Sequence, residues 1–249
     1  MLRSYKTRRG RLTARQHREL ATEDGLLLHS REDGSFARLG STTLLDTEFL
    51  GRPIVMEIGF GSGGATAERA AHEPAIGLLA IDVHTPGVAD LLGEVRSRSL
   101  GNVRIVEGDA IRVLAALPPD SLAGARTYFP DPWPKARHHK RRLVQSPFIT
   151  LLASRVRPGG TWELATDWPH YAEQMTSLIP QDQLWIGGIV MRPDRPVTHF
   201  EQRALRDGRL VTDLHFTRSM TPAVWNADVN PLSGSSDRPS GTGGAVGSR

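Results

Sequence analysis

The sequence predicts a doubly wound α/β fold: a mostly parallel, seven-stranded sheet between two layers of helices. Three observations carry this. From residue 53 onward, short apolar runs alternate with amphipathic segments, the rhythm of strand–helix–strand crossovers. The first apolar run stops at Gly59-x-Gly61-x-x-Gly64, a glycine turn between a strand and a helix. Acidic side chains then stand at or just beyond the ends of the next two runs, Asp82 and Asp109.

Each element follows from its local pattern. Residues 54–58 (IVMEI) form an apolar run of buried-strand length, and a helix is expected over 65–71. Residues 77–83 read as the second strand and 87–98 as a helix. Residues 103–107 are the third strand, 110–116 a short helix, and 126–129 the fourth strand. An amphipathic helix over 146–156 is expected to stop at Pro158-Gly159-Gly160, before a fifth strand over 161–166 and a helix near 170–178. Two further strands, 184–191 and 210–216, flank a short helix at 200–206. Residues 26–50 read as irregular, with turns at Asp33-Gly34 and Gly40-Ser41, and Thr13 is a candidate N-cap for a short helix. Right-handed crossovers put the loops after the parallel strands along one edge, where ligands bind.

A chain of 249 residues suits one such domain, expected over 21–218. Residues 1–20 read as a mobile basic arm, and residues 219–249, rich in Gly, Ser and Pro, as a disordered tail. The chain has no cysteine, which excludes disulfides and thiolate metal sites and fits a reducing, cytoplasmic setting. No run has the length of a signal peptide or a membrane span. The net charge of +4 is unevenly spread. Arg3, Lys6, Arg8, Arg9, Arg11, Arg15 and Arg18 crowd the first twenty residues, and Lys135, Arg137, Lys140, Arg141 and Arg142 crowd eight more. The remainder is net negative, so the two basic segments read as a polyanion footprint.

The glycine turn lets backbone approach a ligand closely, and Asp82 can accept from both hydroxyls of an adenosine ribose. These features suit NAD and S-adenosylmethionine alike. Glu57, two residues before Gly59, favours the second: a carboxylate disfavours a pyrophosphate but suits an ammonium group. Asp109 is positioned to accept from an adenine amino group. Glu57, Gly59, Gly61, Asp82 and Asp109 together outline the cofactor pocket of a class I, Rossmann-like methyltransferase.

The fourth strand leads into YFPDPWPKARHHKRR, residues 128–142. Three prolines within five residues fix φ and remove amide donors, so Asp131 and Trp133 are presented in a preset geometry. The segment PDPWPKARHHKRR resembles the signature of the bacterial tRNA (guanine-N7)-methyltransferase family. The resemblance extends through EIGFGSGG, IDVH, EGDA, RPGGTWELATD and RPVTHFEQRALRDG, and RRGRLTARQ is similar to that family's N-terminus, covering roughly residues 5–218.

That resemblance implies transfer of the methyl group of S-adenosyl-L-methionine to N7 of the variable-loop guanosine of tRNA, leaving S-adenosyl-L-homocysteine. Glu57, Asp82, Asp109 and Asp131 would hold the cofactor, and Asp131 would be catalytic. Lys135, Asp167, Thr198, His199, Phe200 and Glu201 would contact substrate, and Arg137, His138, His139, Lys140, Arg141 and Arg142 the RNA. The chain departs from the family in two places: Asp82 stands where the family often has Glu, and His199 where it often has Lys. The expected partner is tRNA, with no membrane, no metal and no obligatory protein partner, the chain acting as monomer or homodimer. Guanine N7 is unprotonated near neutral pH and attacks through an in-plane lone pair, so the reaction needs alignment and tolerance of positive charge rather than a general base.

Overall fold

The computed structural model describes residues 11–30 and 36–225. Seven strands form one sheet: β1 (Ile54–Ile58), β2 (Gly77–Asp82), β3 (Val103–Glu107), β4 (Leu122–Tyr128), β5 (Val156–Thr166), β6 (Trp185–Val190) and β7 (Thr212–Arg218). Their spatial order is β3-β2-β1-β4-β5-β7-β6. The first five are parallel, and β7 runs antiparallel between β5 and β6. Strand order reverses between β1 and β4, which opens a crevice beyond their C-terminal ends.

The helices are α1 (Ala14–Ala21), α2 (Thr42–Phe49), α3 (Gly64–His72), α4 (Thr85–Ser97), α5 (Ala110–Ala116), α6 (Ser146–Arg155), α7 (Pro169–Leu178) and α8 (His199–Arg206). Strand β2 shows how the layers arise. Successive side chains alternate faces, so Leu79 and Ile81 enter a core with Phe148, Trp162 and Tyr171, while Leu78 and Ala80 enter a second with Ala67, Val88 and Leu91. The sheet is thereby covered on both faces, as a parallel sheet requires.

Several expectations change. Helix α2 lies in the stretch read as irregular; Ser41 caps it by accepting from the Leu44 amide, and Leu45 and Phe49 anchor it in the core. Strand β4 begins at Leu122, four residues before the expected start. Its opening Leu-Ala-Gly lacks β-branched residues, and a Cβ on Gly124 would lie 2.8 Å from the Thr161 carbonyl of β5. Helix α6 stops at Arg155, and Pro158-Gly159-Gly160 sits inside β5, where its pairing with β4 shifts register. Residues 1–10 of the expected arm lie outside the described residues, as does the Asp33-Gly34 turn. The rest of that arm is helix α1, closed by a reciprocal capping box between Thr13 and Gln16 and packed along α4. At the other end, residues 219–225 still follow the body: Ser219 bonds back to Leu184, and Trp225 packs against the core. Residues 226–249 of the expected tail lie outside the described residues.

Candidate active site

A cavity of about 270 Å³ occupies the crevice at the reversal of strand order. Its walls come from strand ends, loops and helix starts: Gly59 and Gly61 after β1, Asp82 and His84 at the end of β2, Asp109 after β3, Phe129 and Asp131 after β4, Ala110 on α5 and Phe200 on α8. Apolar lining by Ile58, Val83 and Ala110 surrounds the carboxylates.

The glycine loop needs its glycines. Gly59, Gly61 and Gly63 have φ of +80°, +64° and +79°, which side chains with a Cβ rarely adopt. A Cβ on Gly63 would lie 2.5 Å from Leu91 Cβ of α4. Asp82 ties this loop to the second strand: its Oδ2 accepts from the Gly61 amide at 2.8 Å and its Oδ1 from the His84 amide at 2.9 Å. Burial raises its pKa, and those two amides oppose the rise. Asp109 caps α5, accepting from the Ile111 amide at 2.9 Å.

Glu57, next to the lining residue Ile58, is not itself part of the cavity wall. It is buried, accepts from the Thr66 hydroxyl at 3.0 Å, and lines a separate, small cavity of about 10 Å³ with Arg69, Arg126, Tyr128 and Thr198. Burial pushes its pKa up, against the pull of Arg126 and the Thr66 hydroxyl. Tyr128 lines both cavities and donates to Glu163; burial, then the Glu163 charge, push its phenol far up, so it stays protonated.

The proline loop is held in a strained path. Phe129 and Trp133 have φ of +52° and +42°, outside the usual range for such side chains. The Phe129 amide donates to the Ala165 carbonyl at 2.7 Å, and Arg142 Nε donates to the Pro132 carbonyl at 2.8 Å. Arg142 is therefore not the RNA contact expected of it. It is 2% exposed, also donates to Gln174 at 2.6 Å, and lies 4.6 Å over the Tyr171 ring. No local signal marks it, because five cations in one short run look alike until one is seen to turn inward.

The rest of the basic run forms a short 3-10 helix, Ala136–Arg141, starting from Lys135. Lys135, Arg137 and Lys140 are exposed, and His139 pairs with the His170 ring at 4.8 Å. Arg141 lies 5.1 Å over Trp133, whose edge also meets His138. Desolvation and then the cations Arg141, Arg137, Lys135 and Lys140 lower the His138 pKa, which keeps that ring neutral at pH 7.

The expected substrate residues divide. Phe200 is half-exposed, lines the main cavity and stacks on Phe129 with centroids 6.5 Å apart. His199 is exposed beside it. Thr198 caps α8 by accepting from the Glu201 amide at 3.1 Å. Glu201 is 2% exposed and is bound by Arg192 at 2.7 Å and Arg195 at 2.6 Å, so its side chain holds α8 in place instead of meeting a substrate. Asp167, half-buried, pairs with Arg209 at 2.5 Å and lies outside the cavity wall. Arg195 escaped the sequence reading: fully buried, it also binds Asp213 at 2.8 Å and lies 5.0 Å over Tyr128.

Residues 51–214 match the model of a family described as a putative methyltransferase. The tRNA (guanine-N(7)-)-methyltransferase of Streptomyces avermitilis is 45% identical over 95% of this chain and 81% of its own length. The chain belongs to the tRNA (guanine-N7)-methyltransferase family. Its relatives reach beyond one lineage: the protein of the same name from Thiobacillus denitrificans is 46% identical over 87% of this chain and 95% of its own length. Solved structures share the fold at low identity. The 16S rRNA (adenine(1408)-N(1))-methyltransferase from Catenulisporales acidiphilia, a mutant form with cosubstrate SAM, has a TM-score of 0.55 at 15% identity, over 79% of this chain and all of that one. The 16S rRNA methyltransferase KamB has a TM-score of 0.53 at 16% identity, over 74% and 96%. For this family member, the seven-stranded sheet is that of the class I methyltransferase fold. Among the described residues, no helix is long and apolar enough to cross a membrane, and no group of three His, Asp or Glu gathers to hold a metal.

Proposed function

We propose that this protein transfers the methyl group of S-adenosyl-L-methionine to N7 of the variable-loop guanosine, guanosine-46, of tRNA in the cytoplasm. One observation carries the reading. A single cavity brings Asp82, Asp109 and Asp131 together, and the cationic run that starts at Lys135 leaves it after Asp131 and returns to it at Leu143.

The residues present fit the cofactor. Asp82 spends one lone pair of each oxygen on a backbone amide and retains others for ribose hydroxyls. Ile58, Val83 and Ala110 offer an apolar slot for adenine, with Asp109 at its edge. When bound, S-adenosylmethionine supplies an electrophilic methyl on a sulfonium centre. Glu57 acts from behind this wall, as a buried acid at the foot of the glycine loop, and not as a lining residue.

Asp131 faces the cavity from a loop with little freedom to move. Its carboxylate accepts from the N1 and N2 hydrogens of guanine, which orients N7 and offsets the charge that develops on the ring. No proton need leave N7, so Asp131 acts by position and charge. Phe200 presents a half-exposed ring at the cavity wall on which a base can stack. N7 lies on the edge facing the deep, narrow major groove of A-form RNA, so the target base is taken from a loop. Lys135, Arg137, Lys140 and Arg141 would grip phosphates, positioning the RNA without reading it.

Titration calorimetry with S-adenosylhomocysteine and with NAD tests the pocket. Binding of the first and none of the second is expected; retention of NAD alone would overturn the assignment.

A further inference from the structure

Helix α1 grips the element that shapes the cofactor loop, and Gln16 is where it does so. Gln16 is 8% exposed and its amide is used at both ends. Its Oε1 accepts from the Thr13 amide at 3.0 Å, closing the cap of α1. Its Nε2 donates to the Pro86 carbonyl at 3.3 Å and to Asp90 Oδ1 at 3.1 Å, both on the first turns of α4. Arg15 pairs with the same Asp90, and Arg96 farther along α4 binds Glu19 at 2.5 Å. On α4 the residues beside this face press on the glycine loop. A Cβ on Gly87 would lie 1.9 Å from the Gly61 carbonyl, and Leu91 fills the space beside Gly63. Gly61 in turn donates to Asp82. A continuous path of contacts thus runs from Gln16 through α4 to two groups that line the cavity, Gly61 and Asp82.

We infer that Gln16 is a positioning residue for cofactor binding: by fixing the start of α4 it holds Gly61 and Asp82 in their binding arrangement. This rests on the reading of the cavity as an S-adenosylmethionine site. It also separates α1 from the basic segment before it, giving the helix a cofactor task rather than an RNA task.

Gln16→Glu tests the inference with the helix cap kept, because Glu serves at this position of a capping box as well as Gln. What changes is the other end, where a carboxylate replaces the amide donor and faces Asp90 and the Pro86 carbonyl. The expected result is about tenfold weaker S-adenosylhomocysteine binding and a matching rise in KM for S-adenosylmethionine, since one charge-assisted contact is worth about that much. The kcat at saturation and the KM for tRNA stay within about twofold. Adding Asp90→Asn supplies an amide donor opposite the new carboxylate and is expected to restore most of the lost affinity. Gln16→Ala removes both the donor and the acceptor that closes the cap, without adding charge, and decides the matter if Gln16→Glu fails to fold; its expected loss is about threefold. Unchanged cofactor affinity, a loss the double variant does not recover, or a change in tRNA KM instead would each overturn the inference. If the wild-type protein itself bound no S-adenosylhomocysteine, the functional assignment would fall first, which keeps the two failures distinct.

Discussion

Asp131 and Glu57 are both carboxylates near one cavity, yet they are set to different tasks by their surroundings. Asp131 is exposed at the cavity wall, and in the proposed reaction its charge meets the base. Asp131→Ala is expected to lower turnover by about 10²–10³-fold, the usual cost of removing one preorganised electrostatic group, with cofactor affinity and melting temperature less affected. Turnover within a few-fold of wild type in single-turnover assays would remove Asp131 from the chemistry. Glu57 is buried, and burial raises its pKa above the unfolded value. It costs no stability below the unfolded pKa, and its penalty grows as pH rises from there through the folded one. At pH 7 the folded state bears that cost. Glu57→Gln keeps an acceptor for the Thr66 hydroxyl and removes the ionisable group, so it is expected to stabilise the protein by about 1 kcal/mol at pH 7 while weakening cofactor binding. The gain should shrink as pH falls towards about 4, the ordinary glutamate value. Denaturant melts at the two pH values would show it, and a destabilised variant at pH 7 would contradict it.

At the scale of elements, the proline loop and the 3-10 helix form one unit. Arg142 turns inward to hold the Pro132 carbonyl, and Arg141 covers Trp133 from outside. Two neighbouring arginines should then fail differently. Arg142→Ala leaves Gln174 and the Pro132 carbonyl without their donor and is expected to cost about 2–3 kcal/mol of stability. Arg141→Ala is expected to leave stability nearly unchanged, weaken tRNA binding, and lower the slope of log affinity against log salt by about one unit. Equal melting temperatures for the two variants would refute this division. The same unit shows where sequence reading stops. Proline spacing and charge made the loop legible, but not which cation is buried, because that depends on Tyr171 and Gln174, which belong to a later helix. The strands β1 and β3 and helix α5 match their expected bounds because each has an uninterrupted apolar pattern or an acidic cap. Helix α2 was missed because its short amphipathic pattern after Ser41 does not stand out.

For the whole molecule, the glycine turn and the acids at the end of β2 and after β3 made the cavity at the sheet edge legible, because a parallel sheet gathers its loops there. The ion cluster of Arg195, Glu201 and Asp213, with Arg192 at its exposed edge, was not legible, since Arg195 joins a residue of α8 to one of β7 that lie apart in the sequence. In that cluster Glu201 is held by Arg195 on the helix that also carries Phe200, which stacks on Phe129 at the cavity wall. The cavity wall therefore draws on the chain from Ile58 to Phe200, and it depends on the fold as a unit. The central claim is tested most directly by incubating the protein with unmodified tRNA and S-adenosylmethionine, digesting the RNA and measuring its nucleosides. The expected result is N7-methylguanosine from a variable-loop position. No such nucleoside on several well-folded tRNAs, with the cofactor bound, would contradict it.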